Sequence, residues 1–167
     1  NRFAEKMADR HNQKFIEDIA GSLIEEAGEI FSQVTVDYKD LDHNNQIENL
    51  EFEALKENNS QQVEELSRAT KEQLFMSLRI ARIRQLDAKL PIIIDDSMTN
   101  FDPEHTARML QIVESVAKEN QVIILTCHPE LIDIAEDNTE VSQYIGLEDG
   151  NFEEDKNAEE VKEMLEA

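Results

Sequence analysis

Two acidic residues follow one apolar run of the chain, and a histidine follows a later one. Asp95 and Asp96 end the run Leu90–Asp96, LPIIIDD, and His128 comes shortly after Val122–Thr126, VIILT. Short apolar runs of this kind are typical of buried strands in parallel sheets, whose carboxyl ends share the edge where α/β proteins bind ligands. We therefore expect the two carboxylates and the imidazole to meet at one edge. That combination suits a magnesium-bound phosphate.

The three side chains would divide the chemistry between them. A hard divalent cation such as Mg²⁺ takes one or two carboxylates together with phosphate oxygens. In this interpretation Asp95 and Asp96 hold the ion, Asp96 also orients the attacking water, and His128 contacts a terminal phosphate. The structural alternative is that one Asp caps a loop and the histidine is a hydrogen-bonded loop residue. The flanking strands favour the functional interpretation.

Two predicted helix starts add further polar groups. Asp102 followed by Pro103 is typical of an N-cap and the first helical position, and that role alone explains both residues. The stretch Leu66–Thr70, LSRAT, presents backbone N–H groups at the start of a long helix, which is a possible anion site. Most helix starts of this type bind nothing, so the second pattern is weak when taken alone.

The composition is that of a folded, helix-rich chain. Its 167 residues are 40% hydrophobic and 32% charged, with four Gly and three Pro, which permits a sizeable core. No apolar run reaches the roughly 20 residues that cross a bilayer, and no signal-peptide pattern opens the chain. Because Cys127 is the single cysteine, we expect a reduced, cytoplasmic protein without membrane contact. The first residue is not Met, which favours a fragment or a processed chain.

Charge is unevenly spread along the sequence. A formal net charge of -22 argues against a surface that binds nucleic acid by itself, because phosphate binding relies on Lys and Arg. The stretch 68–89 nevertheless holds six basic residues against two acids, whereas 148–167 holds nine acids against two lysines. The basic stretch is therefore the better candidate for meeting phosphate, and the acidic tail is expected to be solvated.

Hydrophobic spacing predicts the elements that position these groups. Apolar residues at helical spacing predict a helix that ends near Ser32. Two alternating stretches between residues 34 and 55, followed by a turn at 57–60, predict an antiparallel meander. A helix is expected from about Thr70 to Asp87, with Thr70 and Gln73 as its capping box. Much of its buried stripe is expected to consist of Leu74, Phe75, Leu78, Ala81 and Ile83. Strands at 92–95, 122–126 and 143–147 alternate with helices at 103–119 and 130–136, which indicates parallel strands joined by crossovers. A hairpin turn at 147–152 and a short helix then complete the chain.

Four of these segments, taken in order, resemble the C-terminal lobe of an ABC-type ATPase head of the SMC and SbcC family, with the YhaN-like branch most similar. VEELSRATKEQLFMSLRIA resembles the signature motif, LPIIIDDS the Walker B strand, MTNFD the D-loop and ILTCHP the switch-histidine loop. The resemblance covers residues from about 36 to 147. Four ordered motifs form a specific signal, although any one of them would not.

The resemblance implies an α/β fold, the C-terminal half of a P-loop NTPase head. It implies a parallel sheet with flanking helices and a small antiparallel meander before the signature helix. Residues 1–32 would form the end of a coiled coil that packs on the head, and residues 33–167 would form the lobe itself. An N-terminal lobe of the same protein, which carries the Walker A loop, would complete the head.

The resemblance also implies a function, ATP hydrolysis at an interface between two heads with Mg²⁺ as cofactor, in DNA-associated work such as repair or end processing. Catalysis would fall to Asp96 and His128. Asn100 and Asp102 would cross the interface of a homodimer. DNA would bind mainly to other parts of the protein, and a metallophosphoesterase nuclease is a possible partner. Four signature residues would bind the nucleotide of the second head: Ser67, Arg68, Ala69 and Thr70.

Three departures from the family pattern affect this interpretation. Ala69 stands where the signature usually has Gly, so its methyl group could hinder the approach of phosphate to the backbone. Asp96 stands where many ABC proteins have Glu, which is one methylene longer. No G-x-x-x-x-G-K-[ST] loop is present in the sequence, so the chain alone lacks most phosphate-binding amides. We therefore expect the isolated chain to be inactive.

Two other functions compete with the ATPase hypothesis. A non-catalytic head, which docks partners at the end of a coiled coil, is the main alternative, and Ala69 and Asp96 motivate it. A receiver-like phospho-acceptor domain also uses paired acids at a strand end, but it needs a further Asp and a Lys at later strand ends. Neither Val122–Thr126 nor Gln143–Leu147 supplies them.

Overall fold

A computed structural model describes residues 20–43, 52–86, 89–140 and 143–166. The described residues fall into two compact units, which divide between Asp87 and Ala88. The predicted boundary between residues 32 and 33 stays a prediction, and the part of the predicted N-terminal helix before residue 20 lies outside the described residues. The first unit has one three-stranded sheet and the second has two two-stranded sheets, and each unit has its own helices.

The first unit is built on helix α1, which covers residues 20–34 of the described chain. Its buried face repeats every three or four residues, and Thr35 ends it by donating its hydroxyl to the carbonyl of Phe31 over 2.7 Å. Gly28 faces the following strand so closely that a Cβ there would collide with the Asp40 carboxylate. The buried residues of α1 are Ile24, Ala27, Ile30, Phe31 and Val34.

The predicted antiparallel meander is confirmed. Its strands are β1 (Asp40–His43), β2 (Phe52–Leu55) and β3 (Ser60–Gln62), and they pair in that order. β1 starts later than the alternating pattern predicts, because residues 36 and 37 form a turn after α1. The predicted turn between β2 and β3 is present, with the Lys56 amide donating to the carbonyl of Asn59 over 2.8 Å.

Helix α2, Arg68–Arg84, follows the meander. It begins two residues earlier than expected because Ser67, and not Thr70, is its N-cap: the Ser67 hydroxyl accepts the amide of Thr70 over 3.1 Å. The predicted capping box is therefore wrong. The predicted apolar stripe is partly wrong as well, since Phe75 is 51% exposed. The side chains that α2 buries are Gln73, Leu74, Met76, Ser77, Ile80 and Ala81.

The second unit opens with a β-α-β crossover. Strand β4 (Ile92–Asp95) leads through helix α3 (Pro103–Ala117) to strand β5 (Val122–Leu125), and the two strands pair in parallel. Helix α4 (Pro129–Asn138) follows and packs on α3. The predicted α/β class with a parallel sheet is confirmed.

The third strand of this unit differs from the expectation of a continuing parallel sheet. β6 (Tyr144–Glu148) pairs antiparallel with β7 (Asn151–Lys156). The predicted hairpin turn joins them, with Asp149 and Gly150 at φ 50° and 79°, as a type I′ turn requires. A two-residue turn returns the chain at once, so the strand finds its partner locally.

Helix α5, Ala158–Glu166, covers the hairpin and α4. Asn157 and Glu160 exchange hydrogen bonds of 2.9 Å in a capping box. The buried cluster between these elements consists of Ile132, Ala158 and Val161, with the half-buried Tyr144 against it. Lys162 closes the rim by an ion pair of 2.6 Å with Asp133 on α4.

Truncation of this cluster should destabilise the second unit. We expect Ile132→Ala to lower the free energy of unfolding by about 2–5 kcal/mol, because it removes apolar contacts and leaves a cavity. Ile145→Ala makes the same chemical change at a side chain that is already half exposed, and it should cost much less. Urea denaturation followed by circular dichroism compares the two variants. Equal losses would mean that the cluster does not stabilise this unit.

Candidate functional site

The candidate site lies where β4 and β5 end together. The register pairs Asp95 with Leu125 as the last residues of the two strands. Asp96 therefore leaves β4 at the same edge at which residues 126–128 leave β5. The amide of Asp96 donates to the carbonyl of Leu125 over 3.0 Å, which extends the pairing by one residue and fixes the position of Asp96.

Asp96 turns its carboxylate toward the loop that follows β5. Its backbone has φ 48°, in the left-handed region that few residues other than Gly, Asn and Asp adopt. Thr126 donates its hydroxyl to Oδ1 of Asp96 over 3.4 Å. On the other carboxylate oxygen, Oδ2, the Sγ atom of Cys127 lies at 3.8 Å and Nε2 of His128 at 3.6 Å.

His128 is held by the start of α4. It is the N-cap residue of that helix, with Pro129 at the first helical position, and its amide donates to the hydroxyl of Thr126 over 3.0 Å. Its side chain is 46% exposed and that of Asp96 is 42% exposed. At 3.6 Å the two side chains are close neighbours without a direct hydrogen bond, so both can still act on a third group. The predicted meeting of Asp96 and His128 is therefore present.

Asp95 and the turn after Asp96 complete this edge. Asp95 is exposed at the end of β4, and the hydroxyl of Ser97 donates to its carbonyl over 3.0 Å. Thr99 donates in the same way to the carbonyl of Asp96 over 3.3 Å. Met98, only 4% exposed, anchors the turn. These bonds fix the path of the chain between the site and α3.

Asn100 and Asp102 lie at the end of this turn. Asn100 is exposed, whereas Asp102 uses its carboxylate on its own helix. One oxygen of Asp102 accepts the amides of Glu104 and His105 at 3.1 and 3.0 Å, and the other lies 2.5 Å from Nδ1 of His105. The hydrogen bond from the backbone of His105 is the main reason why the pKa of Asp102 lies below its ordinary value. The predicted N-cap is confirmed, and His105 contacts it through both its amide and its side chain.

The signature residues start α2 in the first unit. Arg68 is exposed and pairs with Glu72 one turn later at 3.0 Å. The amide of Thr70 is bonded to the Ser67 hydroxyl, while those of Arg68 and Ala69 are among the helix N–H groups that receive no partner from within the helix. The φ of Ala69 is not positive, so a residue with a side chain adopts this helical backbone without strain.

Sequence reasoning missed two members of the site. Thr126 bonds to both Asp96 and the His128 backbone, and Cys127 reaches the Asp96 carboxylate. The available signal was their position, since three consecutive polar or sulfur-bearing residues, TCH, follow an apolar strand.

The fold is that of the SMC ATPase head domains. A solved chain from work on ATP-driven dimerization and DNA-stimulated activation of SMC ATPases superimposes with a TM-score of 0.73 at 17% identity, over 92% of this chain and 95% of that one. The Smc head domain of Pyrococcus yayanosii, with a coiled coil and joint, gives a TM-score of 0.72 at 17% identity, over 99% of this chain and 32% of that one. Comparison with protein-family models gives no match.

The relatives by sequence include a member of the predicted branch. YhaN of Bacillus subtilis, a protein of uncharacterised function, is 38% identical over 73 residues, which cover 42% of this chain and 8% of YhaN. Rv1278 of Mycobacterium tuberculosis is 39% identical over 67 residues, or 38% of this chain and 8% of that protein. The match thus spans less than a tenth of each relative. The predicted resemblance to SMC heads and YhaN is confirmed.

Another solved structure shows what an SMC head can bind. The Smc head of Pyrococcus furiosus, in complex with the C-terminal domain of ScpA, superimposes with a TM-score of 0.67 at 19% identity. That binding is a property of the neighbour.

Among the described residues of this chain, no helix is long and apolar enough to span a membrane.

The charge of Asp102 should contribute to stability in a pH-dependent way. Because the pKa of Asp102 is lower in the folded chain than its ordinary value of 3.8, the stabilisation is complete above that value and is lost as the pH falls through the folded pKa. We expect Asp102→Ala to cost about 1 kcal/mol at pH 7. Asp102→Asn should cost less, since its amide oxygen still accepts both backbone bonds.

Denaturation at pH 7 and at pH 3 measures this effect. The wild type and Asp102→Asn should differ less in their free energy of unfolding at pH 3 than at pH 7. Glu163→Gln makes the same charge change at an exposed position in the middle of α5 and controls for net charge. A difference that does not change with pH would contradict the proposed cause.

Proposed function

We propose that this chain is the C-terminal half of a split ABC-type ATPase, which hydrolyses ATP at the interface between two heads in DNA-associated work. One observation carries the proposal: the Asp96 carboxylate and the His128 imidazole lie 3.6 Å apart at the shared end of two parallel strands. An acid and an imidazole at that edge can orient a water and contact a phosphate. The fold of the SMC head supports the same assignment.

The donor groups at the edge fit a magnesium nucleotide. Asp95 and Asp96 offer carboxylate oxygens, which a hard cation prefers. Asp95 would hold the ion that accompanies ATP, and Asp96 would orient the attacking water and help with the ion. His128 would contact the terminal phosphate and hold the water in place from the other side. Thr126 would keep the Asp96 carboxylate turned toward this water.

An exposed sheet face supports the existence of a second lobe. Alternate residues of β4 and β5 present apolar side chains to solvent: Ile93 is 65% exposed and Leu125 48% exposed. Parallel sheets are normally covered on both faces, and two strands make an unusually small sheet. An N-terminal lobe of the same protein would cover this face and supply the Walker A loop that the sequence lacks.

The start of α2 suits an interaction with a second head. The amides of Arg68 and Ala69, the Arg68 side chain and the Ser67 hydroxyl would bind the terminal phosphate held by that head. Asn100 would cross the same interface from its exposed turn. Since Asp102 is bonded to α3, its contribution would be to hold the turn that carries Asn100.

The remaining partners are assigned by charge. With a net charge of -22, this chain is poorly suited to DNA, so DNA would bind mainly to the other lobe or a coiled coil. For the complete protein we propose work in DNA repair or end processing in the cytoplasm, with a metallophosphoesterase nuclease as a partner. The competing function is a docking head without catalysis, and only the behaviour of the complete head distinguishes them.

The complete head tests the catalytic assignment. We expect Asp96→Asn to lower kcat for ATP hydrolysis about 10²–10⁴-fold, because an amide cannot accept a proton from the water. His128→Ala should also strongly impair turnover, and both variants should still bind ATP. Asp137→Asn, an exposed acid near the end of α4, should keep full activity.

Two outcomes would contradict the proposal. Robust hydrolysis by this chain without the second lobe would exclude a split site. Wild-type turnover in Asp96→Asn would remove the catalytic role of Asp96. Dimerisation of the complete head that is equally strong with and without ATP would favour the docking head.

The exposed face of β4 and β5 can be tested separately. Ile93→Asp places a charge in the centre of this face, so it should prevent association of the two lobes when they are produced as separate chains. Its effect on the circular dichroism of this chain should be small, because the position is already exposed. Leu165→Asp, at the partly exposed end of α5, should leave association unchanged. Co-purification and calorimetry measure the association of the two lobes. Equal binding by both variants would exclude this face as the contact between the lobes.

A further inference from the structure

Three different metal-binding groups meet at the end of β5. Asp96, Cys127 and His128 offer a carboxylate oxygen, a thiol sulfur and an imidazole nitrogen, all within 4.8 Å of one another. The Asp96 Oδ2 atom is the common neighbour, at 3.8 Å from Sγ of Cys127 and 3.6 Å from Nε2 of His128. The catalytic assignment uses the carboxylate and the imidazole but gives no role to the thiol.

These separations match the ligand sphere of a small tetrahedral ion. Metal–ligand bonds of about 2.0–2.3 Å place two ligands of a tetrahedral zinc ion roughly 3.3–3.8 Å apart. The two separations from Asp96 lie at the upper end of that range, and Sγ of Cys127 and Nε2 of His128 lie within 4.8 Å of each other, so the ligands would draw slightly together around a bound ion. The donor set also selects the metal, because Mg²⁺ prefers oxygen ligands alone, whereas thiolate and imidazole favour Zn²⁺ and similar ions.

The groups around the three ligands hold them in this arrangement. Thr126 donates to Oδ1 of Asp96 and accepts the amide of His128, so one hydroxyl connects two ligands. The amide of Asp96 is bonded to the carbonyl of Leu125, and His128 is fixed as the N-cap of α4. Such supporting bonds orient the ligands of metal sites. All three residues are exposed, so water could complete the coordination of an ion held there.

We propose that Asp96, Cys127 and His128 form a binding site for Zn²⁺ or a similar thiophilic divalent cation, distinct from the magnesium that accompanies ATP. A cation held there occupies the Asp96 carboxylate and the His128 imidazole together. It would therefore inhibit hydrolysis, a consequence that rests on the proposed ATPase function. The binding site itself does not depend on that function.

Cobalt is the probe for the site, because Co²⁺ replaces Zn²⁺ in such sites and its bond to a thiolate gives a charge-transfer absorption band. Titration of the complete protein with Co²⁺, without nucleotide, should produce this band, and Zn²⁺ should abolish it while excess Mg²⁺ should not. Cys127→Ser should remove the band. His128→Ala and Asp96→Asn should each weaken Co²⁺ binding at least tenfold, since each removes one of three protein ligands. His105→Ala, the matched histidine control away from the cluster, should bind as the wild type does.

The outcomes separate the metal site from the ATPase function. A band that is absent in the wild type, or equally strong in Cys127→Ser, would overturn the site; thermal melting of each variant excludes unfolding as the cause. In the complete head, the ratio of ATPase rates with and without Zn²⁺ should fall well below one in the wild type and return toward one in Cys127→Ser. Cobalt binding without this inhibition would retain the site and overturn the inhibitory role. A head that never hydrolyses ATP would refute the ATPase proposal and leave the cobalt result standing.

Discussion

The in-register parallel pairing of β4 with β5 is the constraint on which the candidate site depends. Because Asp95 and Leu125 end the ladder opposite each other, the residues that follow leave the sheet at the same height. A slip of one residue would turn the side chains of β4 to the other face of the sheet. The hydrogen bond between the Asp96 amide and the Leu125 carbonyl extends this constraint into the site, so the strand pairing itself positions the carboxylate.

The two faces of this pair differ in a way that connects fold and function. Ile94 is buried on one face, whereas Ile93 is exposed on the other. The described residues therefore cover one face of this parallel sheet, most fully at Ile94, and leave apolar side chains exposed on the other face. The same chain carries the side chains to which we assign catalysis, but its sequence has no G-x-x-x-x-G-K-[ST] loop. Both gaps are of the kind that one further lobe would fill, which is why we interpret them together.

The parts of the structure that could be predicted were those with strong local signals. The runs before Asp95 and Thr126 gave both parallel strands, and Asp102 with Pro103 gave a helix start, because strand hydrophobicity and capping are written in neighbouring residues. The exposure of Phe75 could not be predicted in this way, since a helical stripe does not say how wide the covered face is.

The wrong predictions for the N-cap of α2 and for the pairing of β6 arose because two local signals competed. Both Ser67 and Thr70 are good caps, and the sequence does not decide which of them the backbone uses. β6 looked like a further parallel strand, but its two-residue turn made an antiparallel partner available first. In the site, the contact of Cys127 with Asp96 depends on the unusual backbone of Asp96, which no pattern of residue types indicates.

The backbone of Asp96 also bears on which acid the position accepts. Asp and Asn are several-fold enriched at positive φ, while residues with longer side chains rarely occur there. Holding a residue that disfavours positive φ in this conformation costs about 1–3 kcal/mol of stability. The shorter acid therefore suits the geometry of its turn. The left-handed backbone directs the Asp96 carboxylate toward the loop after β5, so the carboxylate reaches that loop without the additional methylene of Glu.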